Sequence, residues 1–445
     1  ITRDSLYENV ARDVLDYVRR DMTAPEGGFY SAEDADSEVP AVAAVYDRGT
    51  EGTRLDRGAQ SDHDVGAQRA PLQKAEGAFY VWTKGEIDAV LGASAELFNF
   101  HYGVEANGNA PAGADPHGEF AGKNILIERH TIAETAQQFA MNEEEVVAIL
   151  TAAREKLFAI RSKRPRPHLD DKIITAWNGL MISAFARGAQ VLDDSRYLAA
   201  AENAARCVRD YLYDDASRIL VRNYREGRST VEGFADDYAF VIQGLLDVYE
   251  ASFDAQWLRF ALELQETQDR LFLDAEHGGY FSGSGNDASI LLRMKEDNDG
   301  AEPAASSVAA LNLLRLARLV ADETYQKRAE QTIAAFGVTL TRIPAAMPQM
   351  LVAFAASLSK PQQIVIAGAR DSADTRALLR EVHAHFAPDK VLLLADDSEN
   401  SAFLEENLEA LRGMKRIDGK ATAYVCENFA CQEPVNDPVA LRRAL

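Results

Sequence analysis

Acidic residues gather three times just ahead of long apolar stretches: Leu169-Asp170-Asp171-Lys172, Phe234-Ala235-Asp236-Asp237-Tyr238 and Glu296-Asp297-Asn298-Asp299-Gly300-Ala301-Glu302. A fourth group, Glu33, Asp34 and Asp36, follows Gly27-Gly28-Phe29-Tyr30-Ser31. Paired carboxylates suit glycoside hydrolysis, one acting as general acid and the other as base or nucleophile. Asp171, Asp237 and Asp297, one from each of the three clusters, are the candidate acid/base groups. Trp177, Asn178 and Tyr238 are candidates for positioning a ligand, and Glu33, Asp34, Asp36, Asp236, Asp299 and Glu302 complete the candidate binding set. Aspartate at a helix start also caps free N–H groups and suits the helix dipole, so each of these residues taken singly has a structural reading. Repetition at three helix starts is what marks the place.

Other chemistries find less support. A sugar epimerase needs a positioned base, often histidine, and only His168 lies beside an acidic cluster. No HExxH, GxSxG or Ser-His-Asp pattern is present. No ligand spacing specifies a metal, and no cofactor is called for. The turn Gly368-Ala369-Arg370-Asp371 lacks both GxGxxG and GxxxxGK[ST], which argues against a nucleotide.

The elements that must position these residues follow a cadence of polar turn, aromatic residue and amphipathic helix, each preceded by a more apolar helix. It reads Ser195-Arg196-Tyr197, Ala255-Gln256-Trp257 and Glu323-Thr324-Tyr325, with the aromatics about 60 to 70 residues apart, a repeat-like period. Ile173 to Leu192, Tyr238 to Phe253 and Val308 to Val320 are apolar over a wide arc and predict inner helices. The segments starting at Tyr197, Trp257 and Tyr325 intersperse charge and predict outer helices. A ring of such pairs is an (α/α) toroid, whereas an open solenoid would need polar end caps. Recurrence of Gly-aromatic segments at Gly27, Gly77 and Gly278 selects the ring and predicts short β-hairpins on one rim. If the inner helices run parallel, the acidic groups converge at one mouth. Ser5-Leu6-Tyr7 opens an outer-type helix with no inner helix before it, as expected of a chain that begins within a hairpin.

Composition narrows the partners. A formal charge of −23 argues against nucleic acid and anionic membrane surfaces, which need clustered Lys and Arg. The one dense basic run, Arg161 to Arg166, carries no interleaved aromatics and reads as a solvated linker. No apolar stretch is long enough for a membrane span. Three cysteines in 445 residues point to a reducing compartment and a cytoplasmic setting. Cys207 reads as core, and Cys426 and Cys431, whose spacing fits neither a CxxC motif nor half of a zinc site, read as two reduced thiols, with a disulfide or a reactive thiol as the alternative.

Along the chain, Val39 to Ala75 lacks periodicity and reads as a mobile insertion, and Ala106 to Gly122 as a second irregular stretch. Lys84 to Leu91, Ile132 to Met141 and Glu143 to Ile160 predict helices. Residues 1–359 are assigned to the toroid. Residues 360–445 form a small βαβ-type layer, with strands at Gln363 to Ala367 and Val391 to Ala395 around a helix at Ser372 to Phe386, and another helix near Ala402 to Leu411.

Several of these segments together resemble a known family. Gly27 to Glu38 (GGFYSAEDADSE), Phe79 to Ile87 (FYVWTKGEI), Gly122 to Leu126 (GKNIL), Asp170 to Met181 (DDKIITAWNGLM), Ala235 to Glu250, Asp299 to Leu314 and Ala423 to Pro434 (AYVCENFACQEP) resemble the thioredoxin-domain family that includes animal spermatogenesis-associated protein 20. The resemblance implies an (α/α)6 toroid of six-hairpin glycosidase type, mainly α, with an N-terminal thioredoxin-like domain preceding it in the full-length protein. It implies no defined activity. The expectation is therefore a toroid that binds or processes a sugar-like small molecule, with a non-catalytic module presenting clients to the thioredoxin-like domain as the alternative. Two departures stand out. The Val39 to Ala75 stretch is inserted, and Ala304-Ala305-Ser306-Ser307 stands where the family shows Ser-Gly-Asn-Ser, so any ligand contact from that Asn is missing here.

Overall fold

Each helical hairpin is closed by the same two residues. The inner helix ends on a left-handed residue, Asp193 (φ 50°), Phe253 (φ 55°) or Ala321 (φ 51°). The next residue is Asp194, Asp254 or Asp322, whose carboxylate accepts the backbone N–H two positions on and starts the outer helix. Such a cap contributes about 1 kcal/mol, and its loss would leave an orphan donor at the turn. Three residues after each Asp comes the aromatic of the cadence, Tyr197, Trp257 or Tyr325. The first two are buried against the inner helices.

The computed structural model describes residues 2, 4–38, 74–111, 113, 115, 118–286, 290–360, 362–396, 398–427 and 430–445. They form two compact units, Ile1–Ser31 with Asp171–Leu445, and Ala32–Asp170. The 359/360 boundary expected from sequence thus falls inside the first unit. The expected insertion, apart from Lys74 and Ala75, lies outside the described residues.

In chain order, the first unit opens with α1 (Ser5–Asp21). The second unit holds α2 (Lys84–Leu91), α3 (Ala95–His101), α4 (Ile132–Phe139) and α5 (Glu143–Arg161). The first unit then resumes with α6 (Thr175–Leu192), α7 (Ser195–Cys207), α8 (Ala235–Ser252), α9 (Ala255–Phe272), α10 (Ala305–Val320), α11 (Glu323–Ala335), α12 (Gly337–Arg342), α13 (Pro348–Leu358), α14 (Ala373–Ala384), α15 (Glu399–Asn407) and α16 (Pro438–Ala444).

The fold is mainly α, built from helical hairpins. Within the first unit α6, α8, α10 and α13 are inner helices packed in that order, backed by α7, α9 and α11. Nearly every residue of α8 is buried, which explains its all-round apolar sequence. Its charged exceptions are paired. Arg315 of α10 bridges Asp247 (2.8 Å) and Glu250 (2.9 Å) of α8, while Arg187 and Ser183 of α6 hydrogen-bond Asp247. These cations hold the Asp247 carboxyl below its usual range, whereas burial pushes Glu250 above it.

Short strand pairs follow the outer helices and therefore lie beside the starts of the inner ones. Ile173–Ile174 pairs with Asn223–Tyr224, Tyr213–Asp214 with Ile219–Leu220, and single bridges join Thr23 to Phe29 and Leu273 to Tyr280. Of these, the bridges at Phe29 and Tyr280 fall in the expected Gly-aromatic segments, whereas Gly77 to Tyr80 forms a turn in the second unit. Gly28 is required by contact, because a Cβ there would stand 2.9 Å from both Cys207 Sγ and Ile173 Cγ2.

The C-terminal layer is a four-stranded sheet in the order Lys390–Ala395, Gln362–Ala367, Thr422–Glu427, Ala430–Cys431. The first pair is parallel, connected through α14, and the other two pairs are antiparallel. The Thr422–Glu427 strand is an addition to the expected βαβ unit. It also corrects the cysteine reading: strand pairing sets Cys426 directly opposite Cys431, and the two form a disulfide rather than free thiols. Cys207 is free and buried, as expected of a core residue.

The second unit packs α2 to α5 around Ile87, Phe98, Val146 and Leu157. Capping boxes at Thr83–Glu86, Thr131–Glu134 and Asn142–Glu145 start three of its helices. Its basic run is not a solvated linker. Arg164 lies 3.9 Å over the Trp82 ring and donates to the carbonyls of Phe79 (3.0 Å) and Val81 (2.7 Å), and Arg161 faces Phe79 and Tyr80. The aromatics it uses come from a distant segment, FYVW, which a search for interleaving within the run does not see.

Candidate functional site

Carboxylates tie the starts of neighbouring inner helices together. Asp237, in the first turn of α8, accepts from Ala176 N of α6 (2.8 Å) through Oδ1, and from Phe234 N (2.8 Å) and the Arg222 guanidinium (2.9 Å) through Oδ2. Asp299, ahead of α10, accepts from Ala304 N (2.8 Å) and from Gln349 N (2.8 Å) at the start of α13. One acid thus caps two helices, and the N-termini of adjacent inner helices meet at one end. Their partial positive charges favour acidic groups there.

That end carries a polar cluster. Trp177, in the first turn of α6, remains 40% exposed, and its Nε1 donates to Glu302 Oε1 at 2.7 Å. Asp236 pairs with Arg222 at 2.7 Å, and the same guanidinium lies 5.3 Å over the exposed Phe234 ring. Glu296 stands close enough to feel both neighbours. Partial loss of water, then the charges of Asp236 and Glu302, push its carboxyl above the usual range, against the pull of Arg222. The mouth therefore combines an exposed indole, an exposed phenyl ring, three carboxylates and one guanidinium from the segments leading into α6, α8 and α10.

The residues singled out from sequence separate into several environments. Trp177, Asp236 and Glu302 belong to this cluster. Asp237 is fully enclosed, with both oxygens occupied by N–H donors, and burial together with the Asp236 charge pushes its carboxyl up to about 7. Asp171 is partly exposed and paired with Arg225 at 2.6 Å. Asp297 is exposed. Asn178 is buried, exchanging hydrogen bonds with Phe29 N (2.7 Å) and Phe29 O (3.0 Å) and donating to Ile174 O (2.9 Å), so it pins the first Gly-aromatic turn to α6. Tyr238 is likewise core: its hydroxyl accepts from Leu220 N at 2.9 Å and its ring packs on Phe272. Asp299 acts as the double cap.

Glu33, Asp34 and Asp36 belong to the second unit. There Glu33 pairs with Leu169 and accepts from the Tyr80 hydroxyl (3.0 Å), Asp34 N donates to His168 O (2.8 Å), and Asp36 pairs with Glu76.

Sequence reasoning passed over Glu296, Arg222 and Phe234. Glu296 lies within a segment already marked as acidic, and its neighbours Asp236 and Glu302 are what distinguish it. Arg222 sits between short strands, where no local pattern announces it.

No protein-family model matches the chain. Spermatogenesis-associated protein 20 of Homo sapiens is 41% identical across 100% of this chain, and that of Mus musculus is 39% identical across the same span. Homologues at 39–41% identity over the whole chain are thus named spermatogenesis-associated protein 20. The chain covers 55% of the length of each of these relatives, so it spans about half the length of the curated proteins it matches. Among solved structures, cellobiose 2-epimerase from Bacillus thermoamylovorans is similar at a TM-score of 0.34 and 14% identity, over 59% of this chain and 66% of that one. A likeness that low carries no argument about chemistry.

Proposed function

We propose that the acidic mouth of the toroid binds a carbohydrate or a sugar-like small molecule and acts on it with carboxylate acid/base chemistry. The observation that supports this reading is an exposed indole, anchored through Glu302, beside two carboxyls in contrasting surroundings. Trp177 offers a flat face of the kind on which a sugar ring rests. Glu296, with its raised pKa, is the proton donor, and Asp236, paired with a guanidinium, is the partner carboxylate. Unequal environments for two acids are what divide acid from base. In this reading Asp237 is a positioning residue that holds Arg222 and the start of α6, while Asp171 and Asp297 serve as outer polar contacts.

A thermal-shift screen against mono- and oligosaccharides tests the proposal, because a ligand that binds only the folded state stabilises it by mass action. The expected result is saturable stabilisation by at least one sugar, lost in Trp177→Ala and retained with turnover reduced in Glu296→Gln. Silence across a broad panel, or shifts indifferent to Trp177→Ala, would overturn it.

One observation favours a second reading, a non-catalytic module that presents clients to a partner domain. Leu6, Tyr7, Val10 and Val14 of α1, spaced along one helical face, are each more than half exposed. A Val10→Glu, Val14→Glu variant of the full-length protein that loses its partners while keeping its fold would support that reading over the first.

A further inference from the structure

A cavity of about 290 Å³ lies where the α6–α7 turn and the end of α8 meet the C-terminal layer. Its apolar lining comes from Leu198, Phe253 and Leu379, and its charged lining is three arginines, Arg370, Arg376 and Arg380, beside three aspartates, Asp193, Asp194 and Asp371. Arg380 is committed, since its Nε contacts Asp193 Oδ2 at 2.8 Å. Asp194 is also committed, holding Arg196 (2.7 Å) and Arg12 (3.5 Å). Arg370 and Arg376 form no ion pair among the described residues. Asp371 is the one lining carboxylate left to set against their two charges.

The cavity has a defined place in the sheet. It opens beside the turn that leaves the carboxyl end of strand Gln362–Ala367 and enters α14, the kind of crevice where open parallel sheets bind ligands. That turn is closely packed. Gly368 N donates to Ala395 O (3.0 Å), Ser372 N donates to Ala369 O (3.0 Å), and a Cβ on Gly368 would stand 3.0 Å from Ala421 Cβ. Arg370 therefore projects from a fixed backbone. On the α14 side His383 also lines the cavity and makes no hydrogen bond among the described residues. Burial and the nearby Lys390 charge push it down to about 4, so it offers a neutral donor or acceptor at neutral pH.

We infer that this cavity is a binding site for a small organic anion, a carboxylate or phosphate monoester with a body of about one ring. Two uncommitted guanidiniums meet the anionic head. Leu198, Phe253 and Leu379 cover the apolar body, and His383 supplies one further polar contact. The volume, at the lower edge of the range for drug-sized ligands, is too small for a nucleotide. The inference is independent of the sugar reading and involves none of the mouth residues.

Calorimetric titration with phenyl phosphate and benzoate, beside inorganic phosphate and phenol, tests it. The expected result is saturable binding of at least one of the two ring-bearing anions, weakened about tenfold or more by Arg370→Ala and by Arg376→Ala, as loss of a charge-assisted hydrogen bond implies. Glu296→Gln should leave that binding unchanged. Both arginines lie at the surface, so unaltered melting of the variants without ligand verifies their fold. Absence of saturation at millimolar concentrations overturns the inference. So does undiminished affinity in the Arg370→Ala, Arg376→Ala double variant, or equal binding of phosphate alone, which would remove the apolar body from the recognition.

Discussion

Helices α6 and α8 touch backbone to backbone at Gly179 and Gly244, and a single methyl group there should measure how much the mouth depends on that approach. A Cβ built on Gly179 falls 2.5 Å from Val241 N and 2.6 Å from Phe240 O, with the Phe240 carbonyl carbon in contact as well. A Cβ on Gly244 falls 2.6 Å from Gly179 O. None of these neighbours is a flexible side-chain tip that could swing aside. Relief therefore requires the helices to separate by most of an ångström along their shared face, which forfeits dispersion contacts at Ile182, Val241 and Leu245. Overpacking of this kind costs about 3 kcal/mol, offset by about 1 kcal/mol from better helix propensity, so Gly179→Ala should destabilise by roughly 2 kcal/mol. Gly337→Ala is the control within the same unit, because it starts α12 with nothing within 4 Å of the added methyl group. It should be neutral or stabilise by a few tenths of a kcal/mol. Chemical denaturation followed by tryptophan fluorescence reads both, since Trp177 and Trp257 lie on α6 and α9 of this unit. If Gly179→Ala unfolds at the same denaturant concentration as the parent, or higher, the helices have more freedom than the contacts allow and the reasoning fails. The same separation would draw Ala176 N away from Asp237, so ligand affinity at the mouth should fall along with stability.

Two further outcomes follow from the charged groups. Arg315→Leu leaves Asp247 with Arg187 and Ser183 but strips Glu250 of its guanidinium partner, and breaking a buried pair in this way costs about 3 to 5 kcal/mol. Adding Glu250→Gln should recover part of that loss, and a double variant no more stable than Arg315→Leu alone would show that the cost is packing rather than charge. Asp237 titrates differently in the folded and unfolded chains, its carboxyl being held up to about 7 by burial and then by the Asp236 charge. A raised folded pKa means the folded state holds the proton more tightly, so this contribution is fully present below the unfolded carboxylate pKa and is lost as pH rises through about 7. Asp236→Asn removes one of the two causes, so the decline in stability between about pH 4 and 7 should flatten. Superimposable stability profiles for parent and variant would refute the assignment.

The hairpins were legible because their signals are local and repeated. A wide apolar arc marks an inner helix, and a short polar turn with an aromatic residue marks the start of each outer one, all within a few residues of sequence. Helix α13 was harder to see. It begins at Pro348 without the acidic introduction of its neighbours, because its cap, Asp299, comes from far upstream. The cysteine pair and the Arg161–Arg166 run were misread for a related reason. A disulfide across paired strands and guanidiniums stacked on Phe79 and Trp82 depend on partners brought together by folding, and spacing along the chain carries no trace of either. At the mouth, composition located the acidic segments, yet it could not separate Asp237, sealed by three donors, from Asp236 beside it. One residue of helical rotation decides that difference.

This separation also explains why acids crowd the helix starts without all of them serving chemistry. The inner helices must bring four bundles of orphan N–H groups to one end, where Ala176 and Asp237 are cut off from water. Asp237 and Asp299 meet the need, each accepting from N–H donors at the starts of two helices with one carboxylate. Once those N–H groups are satisfied, further acids at the same end gain from the helix dipoles without being consumed as caps. Asp236, Glu296 and Glu302 occupy that position, and Arg222 links the two classes by contacting Asp236 and Asp237 at once. A change that removes Arg222 should therefore disturb both, raising the charge repulsion within the mouth and loosening the cap beneath it. Substituting Asp237 alone should act first on folding and only through it on binding. The order in which stability and affinity fail across these variants is the property that distinguishes a supporting acid from a reacting one.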